Sequence, residues 1–176
     1  MLRPLGFALA AMFAFGAPAA ASAGDLTVVF IDPAHYTDAA YSNRYGNEKE
    51  RAEVMRDVQR HLQGLSDRLL APGDSLRIEV LDIDLAGWFE PFPRFRSGGG
   101  DYSHLRIMRD ITWPRIKLRF ELTHDGQVVT RGEEQVVAMN YLMTVNIYSP
   151  SDRLRYEKAM LDDWFANRIV GAGEHG

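Results

Sequence analysis

The sequence predicts an α+β domain: an antiparallel sheet of four to five strands with two main helices packed on one face, in the order β-α-β-β-β-β-α. Three observations carry this reading. Glu48 to Leu70 and Ser149 to Ile169 repeat apolar residues at helical spacing. Arg115 to Leu122 alternates apolar and charged residues, as a half-buried strand does. Asp125-Gly126 links that strand to the next as a hairpin, and neighbouring strands joined by hairpins belong to α+β folds rather than to parallel βαβ sheets.

Taken in order, Leu26 to Ile31 reads as a buried first strand ended by Asp32-Pro33. In the first helix, Val54, Val58, Leu62, Leu65 and Leu69 form one stripe, and Glu48, Glu50 and Glu53 load the end where the helix dipole favours anions. Ser75 to Ala86 is a strand whose apolar phase changes: Leu76, Ile78 and Val80 share one parity, Ile83 and Leu85 follow Leu81 on the other. With a period of two, this means either a bulge near Val80-Leu81 or burial on both faces; the bulge is the favoured reading, because it turns Asp82 and Asp84 away from the core. Leu105 to Thr112 is expected to be extended. Gln127 to about Leu142 pairs back on Arg115 to Leu122, with Gly132 marking a bulge. The last helix opens with Ser149 as N-cap, Pro150 at its first position and Asp152 at the third. Its inner face is Leu154, Leu161, Trp164, Phe165 and Ile169, and Gly171 ends it.

Residues 1–23 are expected to be a cleavable signal peptide: Arg3, then the uncharged apolar stretch Leu5 to Ala17, then Ala21-Ser22-Ala23 as a small-x-small cleavage site. The remainder, 24–176, is one domain's length, with a frayed tail after about residue 170. The chain carries a net charge of −4 and no cysteine. An acidic domain is a poor partner for nucleic acid. Without cysteine there is no disulfide, thiol nucleophile, thiolate metal site or acylated N-terminal anchor. No later apolar segment is long enough to span a bilayer. These readings place the mature domain in the periplasm, with secretion as the alternative.

The constellations that bear on chemistry are few. Asp82 and Asp84 share a strand face and have the spacing of an acid–base pair. They also match Arg115, Lys117 and Arg119, with Glu133, as a structural ladder of cross-strand ion pairs. The five histidines show no ligand spacing and are assigned to the surface, and no cofactor motif is present. The loop Gly87 to Ser103 mixes Trp88, Phe89, Phe92 and Phe95 with Arg94 and Arg96. Exposed aromatics and arginines dominate interface hot spots, so this loop is the candidate interaction surface; the competing reading folds its rings over the end of the sheet.

FIDPAHYTD (Phe30 to Asp38), VLDIDLAG (Val80 to Gly87), MRDITWPRIKLRFEL (Met108 to Leu122), Gly132-Glu133-Glu134, Met139 to Leu142 and LRYEKAMLDDWF (Leu154 to Phe165) resemble the bacterial domain-of-unknown-function family DUF3016. The resemblance implies an exported protein of bacteria with an envelope. It implies no reaction, so it transfers no catalytic residue, and Gly98 to Ser103 looks like an extension of a loop that is shorter in the family.

The resulting expectation is a non-catalytic interaction or accessory module of the bacterial envelope, with a protein partner there and a homodimer left open. One alternative is a periplasmic small-ligand binder with a pocket near Tyr36, Trp113 and Trp164. A third is a hydrolase-type enzyme using Asp82, Asp84 or Asp110.

Overall fold

The computed structural model describes residues 24–42, 46–89 and 105–173, so the expected signal peptide lies outside the described residues. The elements are β1 (Asp25–Phe30), α1 (Glu48–Leu69), β2 (Asp74–Asp84), β3 (Trp88–Phe89), β4 (Arg106–Ile107), β5 (Arg115–His124), β6 (Gln127–Val137) and α2 (Arg155–Trp164). α2 runs on as a π-helical stretch, Phe165–Val170, and a last turn, Gly171–Gly173. The main sheet has the order β1-β2-β5-β6, and β3 and β4 form a separate two-stranded ribbon.

The α+β class holds, but the sheet is mixed. β2, β5 and β6 are antiparallel, whereas β1 runs parallel to β2. The cause is the connection: α1 lies between β1 and β2, and a helical crossover returns the chain in the same direction. β1 is an edge strand. Leu26, Val28 and Phe30 pack on the core and the alternate residues face outward, so it is half-buried rather than buried.

α1 begins where Asn47 accepts the Glu50 amide at 2.9 Å, satisfying one of the donors a helix start leaves free. Val54, Val58, Leu62 and Leu65 are buried as their spacing requires. Leu69 is exposed; Leu70, already extended, turns into the core in its place. β2 carries the expected bulge. Val80 pairs with Leu118 and Asp82 with Lys117, leaving Leu81 as the extra residue. Before it Leu76, Ile78 and Val80 face the core; after it Ile83 does. The β5–β6 turn has Asp125 and Gly126 both at positive φ, the geometry that matches strand twist.

The bulge expected at Gly132 lies elsewhere, at Val129, which packs toward the core while Val128 turns out. Gly132 stays in register opposite Phe120. A Cβ there would stand 3.2 Å from the Phe120 ring, so the glycine makes room for that ring.

α2 starts five residues later than its sequence signals suggest. Ser149 to Asp152 forms a turn closed by the Asp152 amide on the Ser149 carbonyl at 2.9 Å, and Asp152 then receives the Leu154 amide. The helix also passes Gly171 rather than ending there. Leu154, Leu161, Trp164, Phe165 and Ile169 are all buried, and the wider π turn lets the neighbours Trp164 and Phe165 both face inward.

α1 and α2 cover one face of the sheet, and their apolar side chains join those of the strands in one cluster. Each fully buried Leu, Ile or Phe in it contributes roughly 1.5–3 kcal/mol. Where the helices meet, His61 is half-buried rather than superficial. Its Nε2 lies 2.9 Å from Asp162, its ring stands edge-on to Tyr148, and burial lowers its pKa against the pull of Asp162.

Candidate functional site

The polar centre of the molecule lies at the C-terminal end of β2. Gly87 closes the strand with φ +83°, and a Cβ on it would come within 2.9 Å of the Ile107 carbonyl oxygen. That close approach lets the β3–β4 ribbon lay Arg106 over the strand end. The Arg106 guanidinium forks onto Asp38 at 2.9 and 3.0 Å, donates to the carbonyls of Ala40 at 2.7 Å and Ala86 at 3.2 Å, and stacks on the Phe89 ring at 4.4 Å. The backbone of Asp38 is fixed by hydrogen bonds with Ile83 and Leu85, as a one-residue extension beside Asp84. Burial raises the Asp38 pKa, and the Arg106 fork opposes the rise.

Glu157 approaches the same place from α2. It is fully buried, and its Oε1 accepts the Ala86 amide at 2.7 Å while its Oε2 has no hydrogen-bond partner among the described residues. Burial pushes its pKa up to about 7, against the Ala86 amide and the charge of Arg106. A legible signal existed for Glu157. Leu154, Glu157, Leu161 and Trp164 are spaced three, four and three apart, which puts a carboxylate on an apolar stripe. For Arg106 no local pattern exists.

A cleft of about 560 Å³ opens beside this centre. Its lining includes Glu50 and Glu53 of α1, Asp152 and Arg153 ahead of α2, and Arg155 at the start of α2. Glu50 takes a hydrogen bond from Ser42 on one oxygen, while its other oxygen and the Nε of Arg155 are buried without hydrogen-bond partners among the described residues. Arg153 lies over the Tyr41 ring. Charges of both signs thus face one water-accessible space, which suits a small polar ligand rather than an apolar one.

The expected ladder residues divide. Arg119 bridges Glu79 at 2.8 Å and Glu133 at 3.0 Å, and Lys117 meets Glu133 at 2.8 Å, across the outer face of β2, β5 and β6. Hydrogen bonds from Arg77 and Arg119 lower the pKa of Glu79, and those from Lys117 and Arg119 lower that of Glu133. Arg115 pairs with Asp84, which is nearly buried. Asp82 stands apart: its two oxygens hold the amide and hydroxyl of Thr37, each at 2.7 Å. Asp82 and Asp84 are therefore engaged by different partners, and Asp110 is exposed on another segment. Among the described residues no three His, Asp or Glu side chains converge as a metal set.

A model of the family described as protein of unknown function DUF3016 matches residues 24–167. The chain belongs to the DUF3016 family. Comparison with curated proteins returns no match. Among solved structures, a Xanthomonas campestris protein matching the DUF330 family model is similar at 13% identity and a TM-score of 0.35, over 90% of this chain and 91% of the other, a likeness too slight to transfer any property.

In the DUF3016 chain the candidate aromatic loop is described only at its start. Phe89 is buried beneath Arg106 and Trp88 is half-buried, while Phe92, Arg94, Phe95 and Arg96 lie outside the described residues. Of the residues expected around a ligand pocket, Tyr36 and Trp164 are engaged by separate partners: the Tyr36 hydroxyl donates to the Val80 carbonyl of β2 and the Trp164 indole donates to Glu134 of β6. Among the described residues, the most exposed apolar side chains lie where the loop reading did not look. Met139, Leu142, Met143, Val145 and Ile147 follow β6 as a strip, the last three at 89%, 94% and 82% exposure. No charged residue falls between Glu134 and Asp152, and that gap in the charge pattern was the signal for it. Among the described residues no helix is long and apolar enough to cross a membrane.

Proposed function

We propose that this DUF3016 protein is a non-catalytic interaction module of the bacterial envelope, exported to the periplasm and docking other protein through the end of its sheet. The strip Met139 to Ile147 carries the reading. An exposed apolar surface gains free energy when covered, and isolated surface residues do not ordinarily cluster in this way. The engagement of Asp82 by Thr37 and of Asp84 by Arg115 supports a non-catalytic reading over a hydrolase built on those two residues. The test is a photo-crosslinking residue placed at Met143 or Val145 in the intact chain within its own cells, with exposed Gln59 of α1 as the control position. Discrete adducts are expected at the first two sites and not at the third. No adduct, or the same diffuse adducts at all three, overturns the reading.

A second reading, a small polar ligand in the cleft, is favoured by the partnerless buried atoms of Glu50 and Arg155. Native mass spectrometry of protein taken from its own cells should show added mass that Arg155→Met removes. A consistently bare protein overturns it.

A further inference from the structure

We infer that the partner at the sheet edge is a second copy of this chain, paired antiparallel through β6 about a two-fold axis at Gly132; this deepens the interaction reading and rests on it.

β6 is eleven residues long and closes the sheet on one side. Among the described residues nothing pairs with its outer edge. A long free edge presents a row of unsatisfied amides and carbonyls that a further strand can take up. The charges on β6 select the strand. On the outer face Arg131 and Glu133 flank Gly132. Glu133 already meets Lys117 and Arg119, whereas Arg131 makes no ion pair with any described residue.

A two-fold axis normal to the sheet keeps outer face on outer face, so only registers that shift by two residues compete. Centred on Gly132, the pairing sets Arg131 opposite the partner's Glu133, twice over. Shifted one way it sets Arg131 against its own copy, and shifted the other way Glu133 against its own copy. Opposite charges directly across strands stabilise the pairing and like charges oppose it. One register is therefore favoured by the charge pattern, and it extends the existing ladder through Arg131.

The ends of the strand agree. Val128, 52% exposed because the Val129 bulge turns it outward, is carried to the partner's end that bears exposed Val137 and Met139. On the core side Glu134 brings no unpaired charge to the seam, since Trp164 and Arg168 hold it at 3.1 and 2.6 Å. The product is a continuous eight-stranded sheet with the helices of both copies on one face.

The chain has no cysteine, so introduced thiols report cleanly. Arg131→Cys and Glu133→Cys variants of the intact exported chain are mixed under mild oxidation and compared with each variant alone. In the inferred register the two thiols face each other only in the mixture, where one Arg131–Glu133 pair also survives; diagonal pairs lie at or beyond the roughly 7 Å Cα limit for a disulfide. Covalent dimer in the mixture should exceed that of either variant alone by about tenfold. Sedimentation should give twice the chain mass for the unmodified protein and a weakened dimer for Arg131→Glu, with an unchanged circular-dichroism spectrum showing that this exposed change leaves the fold intact. A monomer at every concentration, or equal cross-linking in all three samples, overturns the inference. A monomer that still gives discrete adducts at Met143 in cells leaves the interaction reading standing with a different protein as partner.

Discussion

The guanidinium of Arg106 grips the carboxylate of Asp38 at 2.9 and 3.0 Å, joining the segment after β1 to the β4 ribbon. The Asp38 side chain is 4% exposed, so the pair is held away from water. Removing one partner leaves the other charge buried and unpaired, which is worse than never having had the pair. Arg106→Ala should therefore lower stability by about 3–5 kcal/mol in urea denaturation. Arg106→Lys should fall between, because an ammonium keeps the charge but cannot fork onto both oxygens or stack as flatly on Phe89. Equal stability of all three proteins would show that Asp38 is protonated and indifferent to its neighbour.

Glu157 gives a pH dependence whose sign can be worked out. Its folded pKa of about 7 lies above the ordinary 4.5, so the folded chain holds a proton that the unfolded chain has lost. Its contribution is complete below about 4.5 and disappears as pH rises through about 7. Glu157→Gln should match the parent at low pH and exceed it at pH 8, by on the order of 3 kcal/mol at most. His61 acts in the opposite sense, since a lowered pKa costs stability as pH falls through its ordinary 6.5. It is common to both proteins, so the difference between their stability–pH curves isolates Glu157.

Gly132 and Phe120 form a steric pair. Gly132→Val should destabilise by about 1–3 kcal/mol through overpacking against a ring that Trp164 already holds edge-on at 5.5 Å. Adding Phe120→Leu opens space, so the double variant should lose less than the sum of the two single losses, measured by thermal unfolding. Strict additivity would mean that the glycine serves the backbone alone.

The outer face predicts two acidic titrations. Glu79 and Glu133 should titrate below the ordinary glutamate value in carboxyl NMR, and Arg119→Met should move both upward, because the one guanidinium serves both. Depressed carboxylates contribute stability that is lost as pH falls through their folded pKa. Because both are solvent-exposed, salt should blunt the effect.

What the sequence revealed was what repeats locally. The stripe of α1, the alternation of β5, the Asp125-Gly126 turn and the phase change at Leu81 each report a geometry that neighbouring residues share. The pairing of β1 with β2 does not, since nothing within Leu26 to Phe30 records the direction in which the chain will return. The start of α2 was misplaced because Ser149, Pro150 and Asp152 serve a free-standing turn as well as they serve a helix. The polar centre was illegible for a related reason. Arg106 and Asp38 are unremarkable in their own segments and acquire meaning only when Gly87 brings the ribbon down. Glu157 and the uncharged run before Asp152 were readable, one as a charge in an apolar stripe and one as a gap in the charge pattern.

The parallel seam between β1 and β2 also sets an order of assembly. β5 and β6 meet across a two-residue turn, and β2 can first meet β5 at Asp84 and Arg115, 31 residues apart, whereas every β1–β2 pair, such as Asp25 and Ser75, is 50 residues apart. Long closures are entropically slow, so the strand made first settles last. Until it does, the far side of β2 is as open as the outer edge of β6, and the half-built sheet is sticky on both sides. Refolding at rising protein concentration would then divert chains into clumps at a point set by β1 docking, and slower docking would make the loss worse without altering the finished fold.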